Sequence, residues 1–270
     1  MTLPATSSYV APSGRVLDLF ALPAAASALP GSRGAFVAGD LVLSRVPQHD
    51  RVDRTWLAPT LARLAVTLDE EPDRGAGALR IAVPVPARDG SIVVEGWEAH
   101  RFEPGTRVVE DPDTVRAAGR LLHARLAGRI ARPVGIDLPD LPRFSRLPAE
   151  AASRSARSLI RQTELLRATM PSPPQSASQL VHASLPGRVL LDDAGSPVIL
   201  QMVAAWDTAG RADARSLVQS IAAGLLDATA IDGLSLVERI HVLDVLPDLI
   251  AVAQPDDLAA YARVLGRAVW

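Results

Sequence analysis

The chain contains no cysteine, no lysine and no asparagine among its 270 residues. Without cysteine, disulfide bonds, thiolate nucleophiles and cysteine-ligated zinc sites are excluded. All 28 basic residues are therefore arginine, so reactions that need a lysine amine or an asparagine amide are excluded as well. A GC-rich genome would replace lysine by arginine over the surface, but it does not account for the absence of a required catalytic lysine.

A strong net charge and long apolar runs are also missing. The 30 acidic and 28 basic residues give a formal net charge of -2, which is not the positive charge of a general nucleic-acid binder. No apolar run approaches the roughly 20 residues of a membrane span, and the run at 242–253 is interrupted by Asp244, Pro247 and Asp248. The N-terminus lacks the basic region of a signal peptide. We therefore expect a cytoplasmic protein that binds neither nucleic acid nor membrane.

The apolar patterns predict an α+β, two-lobed organisation, with a β-rich N-lobe at 1–103 and a mainly helical C-lobe at 104–270. In the N-lobe, the turn Ala38-Gly39-Asp40 between two β-rich runs is typical of an antiparallel hairpin. Leucines at three- and four-residue spacing predict one long helix over 51–68. The other N-lobe predictions are a short helix within 16–29 and strands at 35–37, 41–46, 80–84, 91–95 and 97–102.

In the C-lobe, helical periodicity alternates with loops rich in proline and serine. The segment 170–176 holds three prolines and cannot continue a helix. A turn at 192–197, Asp-Asp-Ala-Gly-Ser-Pro, predicts a hairpin over 189–202. The predicted helices span 112–128, 149–169, 212–228, 235–253 and 255–269.

The segment 180–191 reads Leu-Val-His-Ala-Ser-Leu-Pro-Gly-Arg-Val-Leu-Leu. It resembles the catalytic loop of the aminoglycoside phosphotransferases and related kinase-like enzymes, which reads Val-His-Gly-Asp-Leu and, a few residues later, Asn-Val-Leu. That family has an Ile-Asp-Phe type motif thirteen residues after the asparagine, and Gln201 stands thirteen residues after Arg188. Shorter motifs are similar to an actinobacterial branch of this superfamily: AGDLVL at 38–43, DG at 89–90, GW at 96–97 and AAGRLLH at 117–123.

The resemblance implies ATP- and Mg²⁺-dependent phosphoryl transfer, which needs a base, two oxygen ligands for the metal and a lysine on the phosphates. The four positions that should carry these groups are degenerate. Ser184 stands in place of the base aspartate, Arg188 in place of the metal-binding asparagine, and Gln201 in place of the metal-binding aspartate. Ser44, followed by Arg45, stands where the lysine belongs, and the helix over 51–68 lacks the glutamate that would pair with it.

These replacements predict a pseudokinase-like protein with no catalytic residue, no metal ligand and no bound ATP or Mg²⁺. Losing the base and the metal together should raise the barrier by about 6–10 kcal/mol. We therefore expect a binding, scaffolding or regulatory module whose target is a protein partner. Two alternatives stay open: a phosphotransferase with rearranged groups, using Asp192, Asp193 or Asp207, and a metal-independent nucleotide sensor.

The candidate ligand-binding residues are Arg188, Arg45, His182, Gly31 and Gly34. The two glycines fit either a remnant of a phosphate-covering loop or a plain β-turn, and the histidine also fits a structural role. The arginine at 188 has two possible uses: it holds a phosphorylated small molecule, or it pairs internally with an acid, which we favour. A hydrolase triad is not supported, because no Gly-x-Ser-x-Gly elbow occurs.

Overall fold

The structure is a computed structural model that describes residues 9–46, 52–70, 78–139, 141 and 153–268. Within it the chain divides into two compact units. The first comprises Met1–Gln48, Asp53–Val109 and Gly187–Gln201, and the second comprises His49–Val52, Glu110–Pro186 and Met202–Trp270. Each unit therefore contains segments that are not consecutive in the chain. The domain boundary predicted at residue 103 stays a prediction.

The elements are numbered in chain order. The helices are α1 (Gly14–Leu19), α2 (Arg54–Glu70), α3 (Pro112–Leu126), α4 (Arg154–Thr169), α5 (Ala209–Ala222), α6 (Leu236–Ala251) and α7 (Leu258–Ala268). The strands are β1 (Ser27–Ala28), β2 (Phe36–Ala38), β3 (Leu41–Arg45), β4 (Arg80–Ile81), β5 (Pro84–Val85), β6 (Trp97–Arg101), β7 (Arg107–Val108), β8 (Gln179–His182), β9 (Val189–Leu191), β10 (Pro197–Ile199) and β11 (Ala204–Asp207).

The first unit holds two sheets. Five strands form an antiparallel sheet in the order β1-β2-β3-β6-β5, and four strands form a second sheet in the order β4-β10-β9-β7. The predicted hairpin around Gly39 is confirmed, since Phe36 pairs with Leu43 and Gly39 has a φ of 59°. The hairpin predicted over 189–202 is confirmed as the antiparallel pair β9 and β10.

Two strand predictions are corrected by the structure. The predicted strand at 91–95 is wrong, because this segment is a loop with a single bridge from Val94 to Trp97. Glu95 and Gly96 both have left-handed backbone angles, which reverse the chain there. The predicted strand at 80–84 is split, since β4 pairs in parallel with β10 whereas β5 pairs with β6 in the other sheet.

The helix α2 has the apolar face that its spacing predicts. Leu57, Leu61, Leu64 and Leu68 are buried, and the helix contacts β4 and β5. The predicted helix within 16–29 is shorter, because α1 ends at Leu19 and Ala21 adopts a φ of 58°. Burial of apolar side chains holds α2 on these strands.

The second unit is built mainly from α3 to α7 and the two-stranded sheet of β8 and β11, which sequence patterns did not predict. Helices α4, α5, α6 and α7 share one apolar core. Their start points follow from N-cap hydroxyls: Ser153 precedes α4, Thr208 precedes α5, and Ser235 forms a capping box with Glu238 at α6. Residues 149–152 and 269 of the predicted helices lie outside the described residues. In the described part of the chain, no helix is long and apolar enough to cross a membrane.

Candidate functional site

The positions identified by the catalytic-loop motif fall in both units. In the first unit, Arg188 and Gln201 are joined directly: the Arg188 Nε donates to the Gln201 Oε1 over 2.9 Å. The Gln201 Nε2 in turn donates to the Arg45 carbonyl over 3.0 Å and to the Glu98 carboxylate. The Nε of Arg188 thus contacts an amide, and the Glu98 carboxylate lies one residue further along this chain of hydrogen bonds.

Glu98 also forms a buried ion pair with Arg54 at the start of α2. The Arg54 Nε lies 3.3 Å from the Glu98 Oε2, and the two side chains are 8% and 6% exposed. In kinase-like enzymes the strand supplies a lysine and the helix a glutamate. Here an acid on β6, the strand next to β3, pairs with a cation at the start of α2.

Sequence reasoning missed Arg54 and Glu98. Ser44, at the lysine position of β3, pairs with Glu98 across the sheet. The acid therefore lies on β6, the strand next to the one that carries the lysine position. The available signal was a single acid, Glu98, among the apolar and histidine side chains at 97–100 of a predicted strand, since a buried carboxylate needs a cationic partner.

His100 follows Glu98 at the i+2 position and therefore lies on the same face of β6. Complete burial lowers the pKa of His100; Glu98 opposes this effect and Arg54 reinforces it. The imidazole is therefore neutral near pH 7 and adds no charge to the group formed by Arg54, Glu98, Gln201 and Arg188.

These residues do not fit Mg²⁺. A magnesium site offers free carboxylate or carbonyl oxygens, whereas the Gln201 Oε1 accepts from Arg188 and the Glu98 oxygens face Gln201 and Arg54. The guanidinium of Arg188 also places a positive charge beside the amide. Among the described residues, no group of three or more histidine and acidic side chains is arranged to hold a metal ion.

Gly31 and Gly34 lie in a turn that is closed by its own hydrogen bonds. Both have left-handed backbone angles, with φ of 74° and 77°. The Leu29 N–H donates to the Ala35 carbonyl over 2.8 Å, while the Ser32 hydroxyl donates to the Leu29 carbonyl over 2.6 Å and accepts from the Ala35 N–H over 3.1 Å. This geometry favours the plain turn over a phosphate cradle, because these backbone donors already have acceptors within the loop.

Arg45, the residue after the lysine position, turns its side chain onto an indole ring. Its guanidinium carbon lies 4.8 Å from the centre of the Trp97 ring, within the range of a cation–π contact. Its carbonyl holds Gln201. Arg45 therefore contacts Trp97 through its guanidinium and Gln201 through its carbonyl.

In the second unit, His182 and His123 hold the loop that carries Ser184. The Ser184 N–H donates to the His182 Nδ1 over 3.0 Å, and the His182 N–H donates to the His123 Nε2 over 3.1 Å. Both imidazoles are almost fully buried. Burial lowers the pKa of His123 to about 4, against the opposing influence of Asp213. His182 therefore has the contacts of a structural histidine.

The same loop is fixed from its other side. Ala183 donates its N–H to the Val203 carbonyl over 2.7 Å, and its own carbonyl accepts from the Arg215 Nε over 3.0 Å. Burial lowers the pKa of Arg215 to about 10, so the guanidinium stays charged at neutral pH. Ser184 itself is half-buried, and its hydroxyl is not a base at neutral pH.

The three aspartates considered for a rearranged reaction have structural contacts. Asp192 Oδ1 accepts from the Ala194 and Ser196 N–H groups and so closes the β9–β10 turn. The Asp193 carboxylate lies against Gly105. In the second unit, Asp207 is 5% exposed, accepts from the Thr208 N–H over 2.7 Å and lies 3.5 Å from Arg211.

Neither a protein-family model nor a curated protein sequence matches this chain. Solved structures do. The amicoumacin kinase hAmiN, in complex with AMP-PNP, Ca²⁺ and Ami, is 14% identical, with a TM-score of 0.51 over 94% of this chain and 92% of that chain. Choline kinase LicA from Streptococcus pneumoniae is 10% identical, with a TM-score of 0.47 over 95% and 85% of the two chains.

An aminoglycoside phosphotransferase from Alicyclobacillus acidocaldarius is 11% identical, with a TM-score of 0.47 over 97% and 93% of the two chains. At such identities a structural match indicates a shared fold and carries no activity with it. The match to the amicoumacin kinase, the strongest of the three by TM-score, covers nearly the whole of both chains. The chain therefore has an α+β fold like that of the amicoumacin kinase, with a β-sheet N-terminal region and a helical C-terminal region.

Proposed function

We propose that this chain is a catalytically inactive protein of kinase-like fold that acts as a binding, scaffolding or regulatory module. The observation that supports it is the hydrogen-bonded chain Arg188, Gln201, Glu98 and Arg54. Two of these side chains, Arg188 and Gln201, stand where the resemblance implies metal ligands, and Glu98 pairs across the sheet with Ser44, which stands where it implies the lysine.

Recovering a metal site would require breaking this group. If the Gln201 side chain turned away, the Glu98 carboxylate and the Arg45 carbonyl would each lose a hydrogen bond, and a hydrogen bond contributes about 0.5–1.5 kcal/mol, or about 1.5–3 kcal/mol when one group is charged. Arg188 would then repel the incoming cation. For both reasons the proposal includes the loss of Mg²⁺ and ATP binding.

An ATP-consumption assay with Mg²⁺ or Mn²⁺ and a panel of hydroxylated acceptors, aminoglycosides included, tests this proposal. We expect consumption equal to the buffer background. Two variants show whether any residual ATP consumption comes from this protein or from a contaminant. A rate that is unchanged in both Asp207→Asn and Arg188→Ala comes from a contaminant, whereas a rate that co-purifies with the protein and is abolished in Asp207→Asn would contradict the proposal and support a rearranged phosphotransferase.

A thermal-shift titration with nucleotide, with and without Mg²⁺, separates the remaining alternative. A ligand that binds only the folded state raises the apparent stability. We expect no shift in wild type. A metal-independent shift that disappears in Arg188→Ala would indicate a nucleotide sensor, and a strong Mg²⁺-dependent shift would contradict the loss of the metal site.

A further inference from the structure

The exposed side of α4 carries arginines and, further along the helix, an exposed leucine. The helix turns Ala156 and Thr163 inward, where both are buried. With roughly 100° of rotation per residue, Arg154, Arg161 and Leu165 lie together on the opposite side. Leu165 is 62% exposed, and both arginines are exposed. We call Arg154, Arg161 and Leu165 the basic α4 face.

The charge of the basic α4 face is not balanced within the helix. Helix α4 contains four arginines and a single acid, Glu164. One arginine, Arg167, is used inside the unit, with its Nε 2.7 Å from the Asp244 Oδ1. Arg154 and Arg161 have no acidic partner among the residues that the structure describes. Arg154 and Arg161 are therefore cations that the described part of this unit does not neutralise.

One of these cations, Arg154, also stands at the end of the helix that disfavours positive charge. An N-terminus carries partial positive charge and favours acids over bases. Yet α4 begins at Arg154 and has no acidic residue in its first turn. A GC-rich genome explains arginine in place of lysine, but it does not explain the absence of interleaved acids. The arrangement is unfavourable for the isolated helix and favourable for an acidic molecule placed against it.

We propose that the basic α4 face docks an acidic segment of a protein partner, with carboxylates on the arginines and an apolar side chain on Leu165. Guanidinium groups bind carboxylates through two parallel hydrogen bonds. The exposed Leu165 favours a protein over a nucleic acid, because a phosphate backbone offers no apolar surface to cover it. This inference rests on the proposed function as a binding module and names the chemistry of its partner.

Fluorescence anisotropy with a labelled synthetic peptide tests the docking. The peptide is an amphipathic helix with glutamates along one face and a leucine at the end of that row, and the reference is a scrambled peptide of equal composition. We expect the ordered peptide to bind wild type more tightly than the scrambled one. In the double variant Arg154→Glu, Arg161→Glu its affinity should fall about tenfold, and in Leu165→Ser several-fold.

The matched control is the double variant Arg63→Glu, Arg263→Glu. It makes the same change of charge at two exposed arginines on α2 and α7 and should keep the peptide affinity within about twofold. Circular dichroism of all variants checks that the helices remain.

Several results would overturn the proposal. These are no binding of the ordered peptide, equal binding of the scrambled peptide, or equal loss in both double variants. Tighter binding of duplex DNA that the α4 variant abolishes would assign the face to nucleic acid. Self-association lost in that variant would assign it to a second copy of the chain. The docking can fail while the ATP assay stays at background, and turnover in that assay would contradict the proposed function whatever the peptide does.

Discussion

At the scale of single residues, the ion pair of Arg54 and Glu98 places a buried carboxylate and its cation beside Ser44, the lysine position. In kinase-like enzymes the strand cation serves the phosphates and the helix acid positions it. Here Ser44 cannot do this, and the buried carboxylate of Glu98 is satisfied by Arg54 and Gln201. A carboxylate held between an arginine and an amide has its ligands within the protein, so it does not need a metal.

This pair supports a prediction about stability. Arg54→Ala should lower the free energy of unfolding by about 3–5 kcal/mol, because it leaves the buried Glu98 without its cation. The double variant Arg54→Met, Glu98→Gln removes both charges and should be close to wild type or more stable. Urea unfolding measures both.

The control for Arg54→Ala is Arg101→Ala. Arg101 lies on the same strand as Glu98, and the substitution breaks its exposed ion pair with Asp40. Exposed pairs contribute about 0–1 kcal/mol, so the control should change stability little. Equal effects of Arg54→Ala and Arg101→Ala would show that Glu98 is not dependent on Arg54.

At the scale of elements, α3 packs against the loop that follows β8 through a position with no side chain. A Cβ on Gly119 would lie 2.3 Å from the Cδ1 of Leu185, which is 1% exposed. Gly266, in α7, has nothing within 4 Å of such a Cβ. Two helical glycines thus differ only in what lies beside them.

The two glycines should respond to alanine with opposite signs. Gly266→Ala should stabilise the protein by about 0.5–1 kcal/mol, because alanine loses less backbone entropy in a helix. Gly119→Ala gains the same helix propensity but forces Leu185 to move in a packed interior, where overpacking costs about 1–3 kcal/mol. Thermal unfolding of the two variants gives the signs, and stabilisation by both would show that the loop yields freely around Leu185.

At the scale of the whole molecule, buried histidines make folding depend on pH. The Nε2 of His123 accepts the N–H of His182 and must be unprotonated to do so. Its pKa is about 4 in the folded chain and near 6.5 when unfolded. Between these values the unfolded chain binds the extra proton, so stability falls as pH falls from about 6.5 to about 4.

The contribution of His123 to this loss is about 3 kcal/mol. His100, whose pKa is also lowered by burial, adds a loss in the same direction, so the comparison must be made between variants. His123→Gln keeps a neutral acceptor for the His182 N–H and should flatten the slope by about one proton over this window. Urea unfolding across the pH range measures it, and equal slopes for wild type and variant would contradict the prediction.

The local elements follow from short stretches of sequence. The face of α2, the turn at Gly39 and the β9–β10 hairpin depend on neighbours within a few residues, and their patterns predict them well. The segment at 91–95 has a similar apolar pattern, yet Glu95 and Gly96 turn the chain before a strand can pair. Strands β8 and β11 were not predicted, because each becomes a strand only through pairing with the other.

From the sequence alone come the fold class, the missing lysine and the unusual residues Ser184, Arg188 and Gln201, because these depend on composition, spacing and motif. Only the tertiary structure decided which side chains contact these positions. Glu98 and Gln201 are 103 positions apart and Arg54 is a further 44 away from Glu98, so no local pattern reports that they meet. A buried charge is stable only beside its partner, and that partner is chosen by the packing of α2 and β6 and by the return of the hairpin 187–201 to the first unit.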